Sequence, residues 1–237
     1  KKCISEEELL IIMNDEMDRF GTNLELKPKD RKKRNIKNPL LSKNITKKVS
    51  EGIMNFSEEI SKPPKNIFGE PNQKLQKTAG VNYYTVNTGL PALKAFVYDR
   101  ETGKFYILNT CPYAGSCQLY CYALKGTFQF DGSILNMHRK VNLLMNDPKR
   151  YERLAFANLL GMAEQANGDG KQLRIRWNDS GDFFSKEYYD IARRVTDRLL
   201  EMDYDVLSYA YTKSAEFYYK STNSFIMNFS DGAKVSE

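Results

Sequence analysis

The pattern of hydrophobic and polar positions changes at about Val81. Before it, regular periodicity is confined to one stretch. "SEEELLIIMNDEMDRF", residues 5–20, predicts a short amphipathic helix with Ser5 as N-cap and glutamates in the first turn. "KPKDRKKRNIKNPLLSKNITKK", residues 27–48, reads as a basic arm rather than core, and Pro63, Pro64 and Pro71, following Pro39, continue the irregular character. From Val81 the pattern alternates. "VNYYTVNTGL", "KAFVYD" and "KFYILN" predict strands, and "DRETGK" between the last two predicts a hairpin turn with Gly103 free to take a positive φ.

The rest alternates helix and strand. "NDPKRYERLAFANLLGMAEQAN" predicts a helix capped by Asp147 with Pro148 at its first position. "KQLRIRW", "DVLSYAYT" and "SFIMNFSD" predict strands, with helices over "SKEYYDIARRVTDRLLEM", capped by Ser185, and "SAEFYYKST" between them. Such alternation predicts βα units, a parallel sheet and an α/β fold. Folds of this kind carry their chemistry at the C-terminal strand ends. Those ends are expected at Thr110-Cys111, Asn178 to Asp182, Thr212 to Ser214 and Asn228 to Asp231, all polar or ligand-like. The division expected is 1–80, helix and basic arm or linker, and 81–237, α/β domain.

Composition narrows the setting. With 41% hydrophobic and 28% charged residues in 237, the chain is that of a globular protein with one sizeable core and no bilayer-crossing run. The apolar patch LLIIM is too short, and too soon followed by acids, for a signal-peptide core, so an intracellular, cytoplasmic protein is expected. The first residue is Lys1, which leaves room for a trimmed start and an incomplete C-terminus.

Four cysteines in a reducing compartment point to ligands or bystanders rather than disulfides. Cys3 stands apart and reads as a free thiol, whereas Cys111, Cys117 and Cys121 share the loop "NTCPYAGSCQLYCYA". Structural zinc takes four ligands, and the fourth would have to be His138 or Cys3; a coincidental cluster of buried thiols is the dullest alternative. Three thiolates also suit a [4Fe–4S] cluster with one iron left open.

The cysteine loop after a strand of a β/α series, with Tyr120 immediately before the third cysteine, resembles the radical S-adenosylmethionine (SAM) superfamily. The spacing here is C-x5-C-x3-C, where the superfamily usually has C-x3-C-x2-C. Ser180-Gly181-Asp182 stands where many members have Gly-Gly-Glu, which meets the SAM amino group; as an ordinary turn it would instead place Asp182 or Ser185 as a helix cap. The combination C-P-x-A-x2-C-x3-C-Y-A with S-G-D-F resembles bacteriophage and prophage proteins related to that superfamily, over approximately Thr110 to Ser230. The resemblance implies a partial (β/α) barrel. It also implies a cluster on the three cysteines, SAM near Tyr120, Ser180, Gly181 and Asp182, and contacts from Lys213, Ser214 and Ser230. The activity implied is reductive cleavage of SAM, fed by an external electron donor, followed by hydrogen abstraction from a substrate.

The remaining features are weighed against blander readings. Net charge is +6, concentrated between Lys27 and Lys48, which favours nucleic acid or simply a solvated arm. His138 in "NMHRK" reads as a surface or helix-flanking histidine, and the tyrosine-rich segments as packing faces. The rival functions are a zinc- or cluster-stabilised nucleic-acid-binding protein, and a degenerate member that holds a cluster without turning over SAM.

Overall fold

The computed structural model describes residues 41–69 and 82–234. The predicted helix at 5–20, Cys3 and most of the basic run lie outside them.

Two helices open the described chain. Helix α1, Lys43–Ser50, is capped by Ser42, whose Oγ accepts from Ile45 N at 3.1 Å, and α2, Phe56–Ser61, by Asn55, whose Oδ1 accepts from Glu58 N at 3.2 Å. The irregular segment expected through residue 80 is therefore helical in part. Leu41, Ile45, Phe56 and Ile60 are buried with Phe96, Phe105, Ile134 and Leu135 in a core of their own. Single apolar residues spaced among lysines and prolines hid this contribution.

Strand β1, Tyr83–Asn87, is followed by the hairpin β2, Lys94–Asp99, and β3, Lys104–Asn109, with Gly103 at φ 68 in its turn. Short 3-10 turns lead to α3, Asp131–Asn146, and α4, Pro148–Gly168, whose N-cap Asp147 accepts from Arg150 N at 2.9 Å. Then come β4, Gln172–Trp177; α5, Lys186–Glu201, capped by Ser185; β5, Val206–Thr212; α6, Ala215–Tyr218; and β6, Phe225–Phe229.

Four strands form a parallel sheet in the order β1-β4-β5-β6, and β2 and β3 form a separate antiparallel pair. This corrects one expectation: β3 is not a strand of the parallel sheet, and its first strand is β1. The fold is mixed α/β with a parallel sheet stepping in one direction, and no closed barrel is formed among the described residues.

Alternation places Leu173, Ile175 and Trp177 of β4 and Val206 and Ala210 of β5 on one buried face, against α4 and α5. Helix α3 shows why periodicity missed it. Its buried residues include Lys140, His138 and Asn142 beside Ile134, Val141 and Leu144, so no clean apolar stripe marks the sequence. His138 is thus not a surface residue. It is fully buried, with Nδ1 2.9 Å from Ile134 O and its ring beside those of Phe56 and Phe96. No helix of the described residues is long and apolar enough to cross a membrane.

Candidate functional site

The loops after β1 and β4 are zipped together by backbone hydrogen bonds. Thr88 N donates to Arg176 O at 3.1 Å, Asp179 N to Thr88 O at 2.9 Å and Leu90 N to Ser180 O at 2.9 Å. The end of the hairpin joins them: Thr110 Oγ1 donates to Pro91 O at 2.6 Å, and Asp182 N donates to Thr110 O at 2.9 Å. Cys111 follows immediately. The cysteine loop thus leaves an antiparallel strand yet arrives at the C-terminal edge of the parallel sheet, where α/β folds place ligands.

A second clasp comes from the segment after β6. Gly115 N and Cys117 N donate to Gly232 O at 2.9 and 3.3 Å, and Ala114 bridges Ala233. Gly232 has φ 77, and a Cβ there would lie 2.9 Å from both N and Cβ of Cys117, so conformation and space both demand glycine.

Between these loops lies a cavity of about 590 Å3. Cys111, Cys117 and Cys121 all line it, as do Tyr120, Ser180, Gly181, Asp182, Lys213 and Ser230. Ser214 does not. It is fully buried, and its Oγ caps α6 by accepting from Phe217 N at 3.4 Å. Lys213 Nζ donates to Ser230 Oγ at 2.9 Å, joining the ends of β5 and β6. Gly181, at φ 77, turns the chain where a Cβ would press on Leu90. Asp182 is not the cap of α5, a position taken by Ser185. Its Oδ1 accepts from Phe183 N at 2.7 Å and its Oδ2 from Lys213 N at 2.9 Å, so one buried carboxylate ties two strand ends together.

Burial dominates the electrostatics. It pushes the Cys111 thiol up to about 12, against a hydrogen bond from Leu93 N–H and with the charges of Asp182 and Cys121 adding to it. Cys121 is raised for the same reason, with Cys117 adding and the amides of Ala123 and Leu124 opposing. Asp182 is raised by burial, which outweighs its hydrogen bonds from Lys213, Thr212 and Phe183. Backbone N–H groups therefore already face two of the three sulfurs, Leu93 N at 3.3 Å from Cys111 Sγ among them. Donors to sulfur stabilise the thiolate form that a metal requires. Among the described residues no group of three or more His, Cys, Asp or Glu is arranged to hold a single metal ion. His138, the zinc ligand considered from sequence, is enclosed between α3 and the rings of Phe56 and Phe96.

Sequence reasoning missed Arg176 and placed Asn178 and Asp179 only within a polar strand end; all three line the same cavity. Of five buried side-chain polar atoms without a hydrogen-bond partner among the described residues, three belong here: Arg176 Nε, Asn178 Nδ2 and Ser180 Oγ. Buried polar groups are nearly always satisfied, so three unpartnered atoms on residues of one wall set this region apart. Leu93 and Asn178 also hold positive φ, 65 and 57, the kind of local strain that gathers at binding sites. A signal was available. Arg174 and Arg176 of β4 alternate with the buried Leu173, Ile175 and Trp177, so Arg176 is a polar residue on the face away from the core, at the strand's C-terminal end.

A family model described as Gene product 88 matches residues 66–230, more than half of the chain. The chain belongs to the Gene product 88 family. The Gene product 88 match spans the parallel sheet, the hairpin, the three cysteines and the Ser180-Gly181-Asp182 turn, in keeping with a phage gene product; α1, α2 and the Gly232 clasp lie outside it. No curated protein and no solved structure matches the chain.

Proposed function

We propose that this Gene product 88 chain is a radical SAM-type enzyme whose thiols hold a [4Fe–4S] cluster and whose cavity holds SAM. The reading is carried by the convergence, on one cavity, of the three clustered cysteines, the Ser180-Gly181-Asp182 turn and three unpartnered buried donors. The chemistry of the site suits the group: three sulfurs, two of them already faced by backbone N–H, and a charged wall of Arg176, Lys213, Asp179 and Asp182. When bound, the cluster supplies the electron from an external donor that splits the SAM sulfonium, and SAM then supplies the group that takes hydrogen from a substrate.

The chain's own residues do the binding and orientation. Cys111, Cys117 and Cys121 are the iron ligands. Asp182, held rigid by two backbone N–H groups, keeps lone pairs for the SAM ammonium. Arg176 and the Lys213–Ser230 pair, which line the cavity, supply donors for the carboxylate and ribose oxygens. Tyr120, 55% exposed on the rim, offers a ring for the adenine to lie against.

Anaerobic reconstitution tests this. Protein loaded with iron and sulfide should show broad visible absorption, and single alanine variants at Cys111, Cys117 and Cys121 should each lose it. SAM should bind the loaded protein in calorimetry. Stoichiometric zinc without iron after anaerobic preparation, or a cluster indifferent to SAM, would overturn the reading.

A further inference from the structure

We propose that a second cavity, beyond Asp179, binds a small molecule bearing a carboxylate or phosphate oxyanion, anchored on the Lys140 ammonium. This cavity measures about 620 Å3, within the size range of small-molecule sites. It lies at the C-terminal ends of β1 and β4, between them and α3, and shares only Asp179 with the thiol cavity.

Lys140 is the built feature. It is 7% exposed, and its one hydrogen-bond acceptor among the described residues is Thr88 Oγ1 at 3.2 Å. Thr88 Oγ1 itself donates to Ile67 O at 2.6 Å, so its hydrogen is committed and a lone pair is left for the lysine. An ammonium carries three N–H groups and accepts nothing, which leaves two donors unmatched on a buried cation. Buried charges persist only when paired and hydrogen-bonded.

Asp179 answers part of that need. Its carboxylate is held by Asn87 Nδ2 and the Ser180 N–H, and it packs where Gly89 has no Cβ to obstruct it. Its carboxylate makes no hydrogen bond to Lys140, whose one acceptor among the described residues is Thr88 Oγ1. Burial pulls Lys140 down to about 8, Asp179 opposing, and raises Asp179 against the charges of Lys140 and Arg176; both groups are thus under-compensated in a cavity wide enough for a ligand. Charge supplies the class. Lys65, Arg139 and Lys140 line the cavity against one acid, Asp179, with Arg139 also paired to Glu59 at 2.8 Å. An oxyanion would complete the Lys140 donors, and Phe128 and Met137 present an apolar wall to a carbon skeleton.

The test uses the full chain and needs neither iron nor SAM, so its outcome is separate from that of the cofactor reading. Backbone amide NMR shifts of Thr88, Gly89 and Ser133 are followed on titration with inorganic phosphate and, separately, acetate, against sodium chloride at equal ionic strength. Saturable shifts with either anion are expected, and the tighter arm identifies a phosphate or a carboxylate ligand. Lys140→Met should weaken binding about 10-fold or more, the loss expected for a charge-assisted hydrogen bond. Shifts that fail to saturate, that chloride reproduces, or that persist at wild-type affinity in Lys140→Met would overturn the proposal. Should that variant lose the native spectrum, Ser133→Asp decides: a like charge on the cavity wall should abolish binding, and unchanged affinity refutes the site.

Discussion

His138 makes stability depend on pH in a way the structure quantifies. Burial lowers its pKa from 6.5 to about 4, opposed only by the bond to Ile134 O. The unfolded chain therefore takes up a proton at a pH where the folded chain stays neutral. The sign follows: this contribution is fully present above the unfolded value, and is lost as pH falls from 6.5 towards 4. At pH 5 the loss is about 2 kcal/mol, and complete titration costs about 3 kcal/mol. Asp179 and Asp182, both raised by burial, act with the opposite sign from the unfolded carboxylate value upward, so the wild-type curve alone mixes the effects. His138→Leu isolates the histidine. It removes a ring nitrogen, Nε2, that has no partner among the described residues, while Ile134 O remains an acceptor within α3. Urea unfolding between pH 4 and 8 should show the variant gaining about 2 kcal/mol on wild type at pH 5 relative to pH 8. Parallel curves for the two proteins across that range would mean that His138 is charged or solvated in the folded state, and would refute the reasoning.

Three further outcomes are expected. Asp182→Asn turns one amide hydrogen pair towards Phe183 N or Lys213 N, and should cost about 1–3 kcal/mol of stability in denaturant melts. On the cofactor reading it should also weaken SAM about 10- to 150-fold by calorimetry, whereas unchanged SAM affinity confines Asp182 to tying the strand ends together. Gly232→Ala places a Cβ against Cys117 at positive φ and should cost about 1–3 kcal/mol, with iron retention falling in parallel; an unchanged melting temperature would show that the clasp yields freely. If the basic run contacts nucleic acid, deleting residues 27–40 should flatten the log–log salt dependence of binding by about 0.9 per lost phosphate contact, and an unchanged slope leaves it as a linker.

Much of the fold was legible where local rules act alone. The hairpin with Gly103, the Asp147-Pro148 helix start and the Ser185 cap need only neighbours in sequence, and each is found where the pattern placed it. Pairing was less legible. Both β1 and β3 carry strand patterns, but membership of the parallel sheet depends on which strand meets β4, a contact between residues nearly ninety positions apart in β1 and β4. The candidate site divides in the same way. The cysteines and the Ser180-Gly181-Asp182 turn announced themselves by residue type, whereas Lys140 and Asp179 acquire meaning only when α3 carries one to the strand end that holds the other. Ser214 misled because it follows a strand whose next residue faces the cavity, while its own hydroxyl turns back to cap α6.

The C-x5-C-x3-C spacing has a structural use in this arrangement. Five residues separate Cys111 from Cys117, and three of them, Tyr113, Ala114 and Gly115, engage Lys234, Ala233 and Gly232. The longer spacing therefore lets the segment after β6 act as a second fixed edge for the loop, opposite the edge at which Thr110 O receives Asp182 N. Asp182 lies within the residues that the family model matches, and Gly232 just beyond them. Fixing the thiols is then a joint task of β4 and of the residues after β6. A loop fastened on both sides holds its sulfurs in place before any ligand arrives, and so reduces the ordering that binding must otherwise impose.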